Sequence, residues 1–176
     1  VSDFHGQPLA FWRPALSALA ARHGLPDGPW QRAALGRNVV FLSPGVVIKL
    51  GPPCWPGDIA REAEALRFVA GKLPVRTPAV LAYGAFDGWE YLVTAHCPGT
   101  NLYELWRELA APDRIALARQ HGGLMAAIHT LPASALPAAL AFDWARMLAE
   151  QRAELTAALA RSGLRAELIA QATAYV

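Results

Sequence analysis

Two side chains in this sequence have the type and the setting to do chemistry together. They are Lys49, in Val46-Val47-Ile48-Lys49-Leu50, and Glu62, in Arg61-Glu62-Ala63-Glu64-Ala65-Leu66. Lysine is scarce, with Lys49 and Lys72 the two in the chain. The run around Lys49 is too short for a helix and rich in residues that suit a pleated, half-buried surface, so it reads as a strand. Side chains alternate across a strand, which puts Val46, Ile48 and Leu50 on one face and Val47 with Lys49 on the other. With the first face on a core, the second offers an apolar patch beside one cation. An adenine ring followed by its phosphates needs that pair in that order. The plainer reading is an edge strand whose lysine points into water.

Glu62 belongs to the next element. The loop Gly51-Pro52-Pro53-Cys54-Trp55-Pro56-Gly57 leads to Asp58, placed to cap a helix from Ile59 to about Lys72. At 3.6 residues per turn, Ile59, Ala63, Leu66, Ala70 and Leu73 share an apolar face, with Glu62 roughly 45° from its middle and Glu64 roughly 155° away. A carboxylate on the packing side of a helix asks for a partner, because an unpaired buried charge is expensive. The preceding strand supplies Lys49. The alternative is that Glu62 sits at the rim and reaches water.

The elements around these two residues follow from local signals. Pro14 in a first turn, Leu16, Leu19 and Ala20 at helical spacing, and a closing Gly24 predict a lead-in helix over 13–23. Trp30 to Ala34 is a weakly signalled first strand. Val39 to Leu42 and Val46 to Leu50 form a hairpin through Ser43-Pro44-Gly45, whose proline and glycine suit a type II turn. Strands over 80–85 and 89–94 join through Asp87-Gly88. After Ala95-His96-Cys97-Pro98-Gly99 everything is helical: 102–109, 114–130, 144–161 and 165–176. Strands followed by a separate run of helices make an α+β chain, with residues 1–96 as one lobe and 97–176 as hinge and helices.

Composition excludes several classes. The 176 residues are 54% hydrophobic and 17% charged, which suits a folded globular protein and not a disordered one. A net charge of +2 with scattered arginines gives no footprint for nucleic acid. Cys54 and Cys97 form no multi-bridge framework and have no metal-ligand spacing, as in a reducing cytoplasm. Apolar runs are too short to span a bilayer, and the N-terminus is no signal peptide. The first residue is valine, so the chain is expected to be a piece of something longer. His121 and His129, eight residues and about 12 Å apart on a helix, are too distant to share a metal. They read as packed or capping histidines, while Trp106, Met125, Phe142 and Trp144 read as core. Glu104, Arg107 and Glu108 read as a solvated face.

Lys49 in Val-Val-Ile-Lys, Arg61-Glu62-Ala63-Glu64-Ala65-Leu66, Leu73-Pro74-Val75, Trp89 to Val93 before Pro98-Gly99, and Ala127-Ile128-His129-Thr130-Leu131 together resemble the aminoglycoside phosphotransferase family. The resemblance covers about residues 36–131 and rests on motif order and spacing. It implies a protein-kinase-like fold: a small antiparallel sheet with one helix as N-lobe, then an incomplete helical C-lobe. It further implies that Lys49 holds ATP phosphates and that Glu62 holds Lys49. By the same resemblance Val47 belongs to the adenine roof, Gly36-Arg37-Asn38 cover the phosphates, and Ala95 and Cys97, after Thr94, bond the adenine edge. The implied activity is transfer of the ATP γ-phosphoryl group to a hydroxyl of a small molecule, an aminoglycoside-type antibiotic or similar, and hence antibiotic resistance.

One departure is decisive. The fold's chemistry needs a His-x-Asp loop, an asparagine about five residues on, and a second aspartate for magnesium. His121-Gly122-Gly123 lacks the aspartate and lies in a helical run. Phe142-Asp143-Trp144 precedes the place of the catalytic loop, and Asp143 reads as a helix cap. Neither is catalytic, so the loop and the Mg2+ ligands are expected beyond residue 176. The substrate stays open among an aminoglycoside, a sugar, homoserine, choline and a macrolide, and oligomeric state is not readable. The rival from another class is a non-catalytic nucleotide-binding or interaction module. A helical binding protein with an incidental hairpin is a third reading.

Overall fold

A computed structural model describes residues 4–33 and 36–175. Its elements are α1 (Leu9–His23), β1 (Gln31–Arg32), β2 (Val39–Ser43), β3 (Val46–Gly51), α2 (Asp58–Val69), β4 (Val80–Phe86) and β5 (Trp89–Ala95). They are followed by α3 (Leu102–Leu105), α4 (Ala111–His129), two short 3-10 turns, α5 (Trp144–Arg161) and α6 (Ala166–Tyr175). The five strands form one antiparallel sheet in the order β1-β2-β3-β5-β4. The strand carrying Lys49 therefore has neighbours on both sides. This rejects the edge-strand reading.

Both hairpins follow from their turn residues. Gly45 takes the positive φ, 81°, that a Pro-Gly turn requires, and Ser43 pairs with Val46 across it. Asp87 and Gly88 both have positive φ, 48° and 78°, as in a type I′ turn whose twist matches the strands it joins. The first strand is shorter than its 30–34 expectation. It keeps Gln31 and Arg32 in the ladder, and Ala34 lies outside the described residues.

The sheet's two faces are used differently. Val46, Ile48 and Leu50 bury against α1 together with Val39, Phe41, Tyr91 and Val93, and α1 contributes Trp12, Leu16, Leu19 and Ala20. This helix starts at Leu9, a turn earlier than Pro14 suggests. Pro8, extended at the N-cap, begins it, and Pro14 stands inside. An internal proline costs on the order of 3 kcal/mol. Burial of Trp12, Leu16 and Leu19 at about 1.5–3 kcal/mol per large side chain outweighs that. The opposite face receives α2, through Ile59, Ala63 and Leu92 with Leu66 and Val80 partly buried beside them.

Helix α2 differs from expectation at both ends. Asp58 is its first residue and not its cap, because Gly57 holds the N-cap position in a left-handed conformation. The helix stops at Val69. Ala70 turns extended and Gly71 follows at φ 69°, so Ala70 falls outside the packed face.

Beyond Ala95 the chain is helical. Asn101 caps α3 by accepting the Tyr103 N–H at 3.0 Å, and α3 ends at Leu105, short of Leu109. Pro112 does not delay α4, since a first turn needs no N–H from it, and the helix begins at Ala111. The chain divides into two compact units after Leu140. The second is the pair α5 and α6, with Asp143 capping α5 by accepting the Arg146 N–H at 2.9 Å. The last expected helical residue, Val176, lies outside the described residues. Trp106, Met125, Phe142 and Trp144 are exposed and not core: Arg114 lies over the Trp106 ring and Phe142 meets Trp144 edge-on, but these contacts do not bury them. His121 and His129 are likewise exposed on α4 and not packed. No described helix is long and apolar enough to cross a membrane.

The lead-in helix is latched to the loop after it. The Asp27 carboxylate accepts from Trp30 Nε1 at 3.1 Å and from Ser17 Oγ at 2.9 Å. These two bonds, with a lesser pull from Arg13, hold its pKa below the ordinary carboxylate value against a small desolvation effect. The charged form thus stabilises the fold above the ordinary carboxylate range. That contribution fades as pH falls through this range toward the lowered folded value. Asp27→Asn should flatten the acid side of a thermal-unfolding series between pH 6 and 2 (an approximate window). An unchanged acid dependence contradicts the latch.

Candidate functional site

On the α2 side of the sheet, alternation along β3 presents Val47 and Lys49, half-buried, between buried neighbours. Across the ladder Val47 faces Thr94 of β5 and Lys49 faces Leu92. Helix α2 covers Leu92 and leaves Val47 and Lys49 beside its edge. Glu62 follows Ile59 by three positions and precedes Ala63 by one, so it stands at the margin of the packed stripe and reaches down to the strand.

The two side chains meet. Lys49 Nζ donates to Glu62 Oε1 at 2.5 Å and Oε2 at 2.7 Å. Their side chains are 25% and 35% exposed, so water reaches the pair and it does not belong to a sealed core. In such a setting Coulomb attraction is diluted, and the pair's main effect is to hold the ammonium group in one place.

A second contact is tied to the same side of α2. Arg37 Nη2 lies 3.3 Å from Asp58 Oδ2, and its guanidinium stacks 4.3 Å from the Trp55 ring centre. Asp58 and Glu62 are four residues apart, hence neighbours on one helix face about 6 Å apart along the axis. The turn over 36–38 is therefore drawn to the helix that holds Lys49. Gly36 adopts φ 143°, and Asn38 keeps its side-chain oxygen buried without a partner among the described residues.

The far end of the site is built from backbone. Thr94 is buried in β5 opposite Val47. The Ala95 N–H donates to Ala79 O at 2.8 Å and the His96 N–H to Gly45 O at 3.1 Å. Cys97 follows as an exposed free thiol past the end of the sheet. Since Ala95 pairs with Val46, three residues before Lys49, the end of β5 and the ammonium group are separated by about 10 Å of strand.

Sequence reasoning misses one participant. Glu90 of β5 accepts the N–H of Gly57 at 2.9 Å and of Ile59 at 3.2 Å, supplying the cap expected of Asp58. Its local signal is an acid between Trp89 and Tyr91 in a strand, on the same face as Leu92 and Thr94. Asp58 instead pairs with Arg61 at 2.8 Å and with Arg37. No group of three His, Cys, Asp or Glu among the described residues could hold a metal.

A five-stranded antiparallel sheet, one helix laid across it with a lysine–glutamate pair, and helices after the last strand define a kinase-like α+β fold. A solved structure described as the streptomycin-ATP-APH(2")-IIa ternary complex has the same fold, with a TM-score of 0.66 and 15% identity over 91% of this chain. The chain spans 55% of that protein's length. The family model described as "Phosphotransferase enzyme family" matches residues 31–176, and the chain belongs to that family. No curated protein sequence matches it.

The wetness of the pair sets an expectation for stability. Removing one partner of a buried pair costs about 3–5 kcal/mol, and an exposed pair is worth about 0–1 kcal/mol. Lys49→Ala and Glu62→Ala should each destabilise by about 1 kcal/mol in urea titration. A loss near the buried-pair value contradicts the solvent access of the pair.

Proposed function

We propose that residues 1–96 form the nucleotide-binding lobe of an ATP-dependent phosphotransferase that moves the γ-phosphoryl group to a hydroxyl of a small molecule. Residues 97–176 form the hinge and first helices of its second lobe. The observation that carries this reading is the Lys49–Glu62 pair at the open face of the sheet. It leaves one ammonium group fixed and reachable, as a phosphate site requires.

The roles follow from position. Lys49 meets the α- and β-phosphates, and Glu62 orients it. Val47 covers the adenine, with Thr94 opposite it on the same sheet face. The adenine edge bonds the main chain at Ala95 and Cys97, and the ribose bridges the remaining span of β3 to Lys49. Gly36, Arg37 and Asn38 cover the phosphates, a role favoured by the tie from Arg37 to α2. The related fold's complex holds ATP and streptomycin by its description, which supports ATP and a small hydroxylated substrate for this chain.

The described residues seat the nucleotide without completing the chemistry. His121-Gly122-Gly123 lies within α4, and Asp143 is engaged in capping α5. On the first reading, the aspartate base and magnesium ligands of the transfer belong to a part of the protein beyond residue 176. This same observation favours the second reading, a kinase-like module that binds nucleotide without transferring phosphate. An aminoglycoside acceptor, antibiotic resistance and a cytoplasmic setting belong to the first reading.

Calorimetry with a non-hydrolysable ATP analogue tests the shared core of both. Lys49→Ala should weaken binding at least about tenfold, since a charge-assisted contact is worth about 1.5–3 kcal/mol. Binding that is absent, or unaltered by Lys49→Ala, contradicts the reading. Phosphate transfer to a hydroxylated acceptor by the intact protein separates the enzyme from the module.

A further inference from the structure

We propose that the cross-strand pair of Gly51 and Glu90 is the seat that fixes α2, and with it the Glu62 carboxylate, against Lys49. Glu90 is then a positioning residue of the nucleotide site. The inference rests on the nucleotide-lobe reading and assigns within it a role that neither sequence motif carries.

Helix α2 brings no cap of its own. Gly57 has no side chain to offer, and the Asp58 carboxylate is engaged by Arg61 and Arg37. A helix start leaves four N–H groups without intrahelical partners, and a cap usually comes from the residue just before the helix. In this fold the Glu90 carboxylate serves two of these donors, those of Gly57 and Ile59, from thirty-one residues beyond Ile59. The cap is therefore also a tether between helix and sheet. Its negative charge suits the positive end of the helix dipole.

Gly51 completes the seat from the neighbouring strand. It ends β3 directly opposite Glu90 in the ladder. A Cβ at Gly51 would run into the Ile59 side chain, so the bare glycine lets Ile59 settle fully buried onto the sheet. Backbone and side chain of one residue, Ile59, are thus held by the two members of one cross-strand pair.

That anchor lies close to the chemistry. Glu62 is three residues from Ile59, about 4.5 Å along a stiff helix, and Lys49 is two residues from Gly51 in a central strand, about 7 Å. A shift of about 1 Å at Ile59 carries to Glu62 and takes a short charge-assisted bond out of range.

The test measures the affinity of the purified protein for a non-hydrolysable ATP analogue by calorimetry, with thermal unfolding run on each variant. Glu90→Ala should weaken binding about tenfold, a typical coupling for residues in one network. Glu90→Gln, which keeps the amide oxygen as an acceptor, should fall between wild type and Glu90→Ala. Gly51→Ala should weaken binding while leaving Glu90 in place. In a Lys49→Ala background, Glu90→Ala should add little, because the group being positioned is gone. Full additivity there means that Glu90 only supports the fold, and overturns the proposal. So does unchanged affinity in folded Glu90→Ala and Glu90→Gln proteins while Lys49→Ala still weakens binding. If Glu90→Ala does not fold, Glu90→Gln and Gly51→Ala decide the matter. A Lys49→Ala protein that binds normally overturns the nucleotide reading and this inference together.

Discussion

The ion pair between Lys49 and Glu62 constrains everything around it, because a strand and a helix must both be correctly placed before its two atoms can meet at hydrogen-bond distance. Its exposure limits what it adds to stability, so its importance is geometric. An ammonium group on a flexible four-carbon stem is a poor phosphate ligand until something restricts it. Glu62 restricts it without removing it from water, and so leaves capacity for a further anionic partner.

The asymmetry of the sheet follows from that requirement. One face is closed by α1 over a continuous apolar layer from Trp12 to Val93, and this layer stabilises the sheet. The other face is closed in part. Ile59 and Ala63 bury Leu92, while Val47 and Lys49 remain half-open at the helix edge. A fully covered second face would add hydrophobic stability and seal Lys49 from any ligand. The polar fastenings on this side, Glu90 to the start of α2 and Arg37 to Asp58, hold the helix where apolar contact alone would be thin.

Much of this arrangement is legible in the amino-acid sequence. Alternation in Val46 to Leu50 and the helical angle of Glu62 are enough to bring the pair together, because both signals are periodic and local. Pro-Gly and Asp-Gly specify the two hairpins for the same reason. What the sequence hides is long-range or end-specific. Asp58 has the position of a cap because caps are usually adjacent, whereas the real acceptor comes from Glu90 in another strand. Pro14 has the look of a first-turn residue, and the helix over 114–130 that of a later start. Yet burial lets α1 carry Pro14 inside it, and α4 takes Pro112 into its first turn, where no N–H is needed. Trp106, Met125, Phe142 and Trp144 have the character of core residues, but hydrophobic type predicts burial only where something is present to cover the side chain.

Whether a nucleotide phosphate comes to rest at Lys49 decides the functional reading. The chain's two lysines allow a direct measurement, since Lys72 is exposed past the end of α2, over the Phe68 ring at 4.1 Å, and takes no part in the Lys49–Glu62 ion pair. An acyl-phosphate derivative of ATP delivers its acyl group to the lysine beside the bound phosphates, and peptide mapping identifies the labelled residue. Acylation of Lys49, suppressed by excess ATP, is expected, with Lys72 at background. Equal labelling of both lysines, or labelling of Lys49 that ATP does not suppress, would rule out a phosphate site at Lys49.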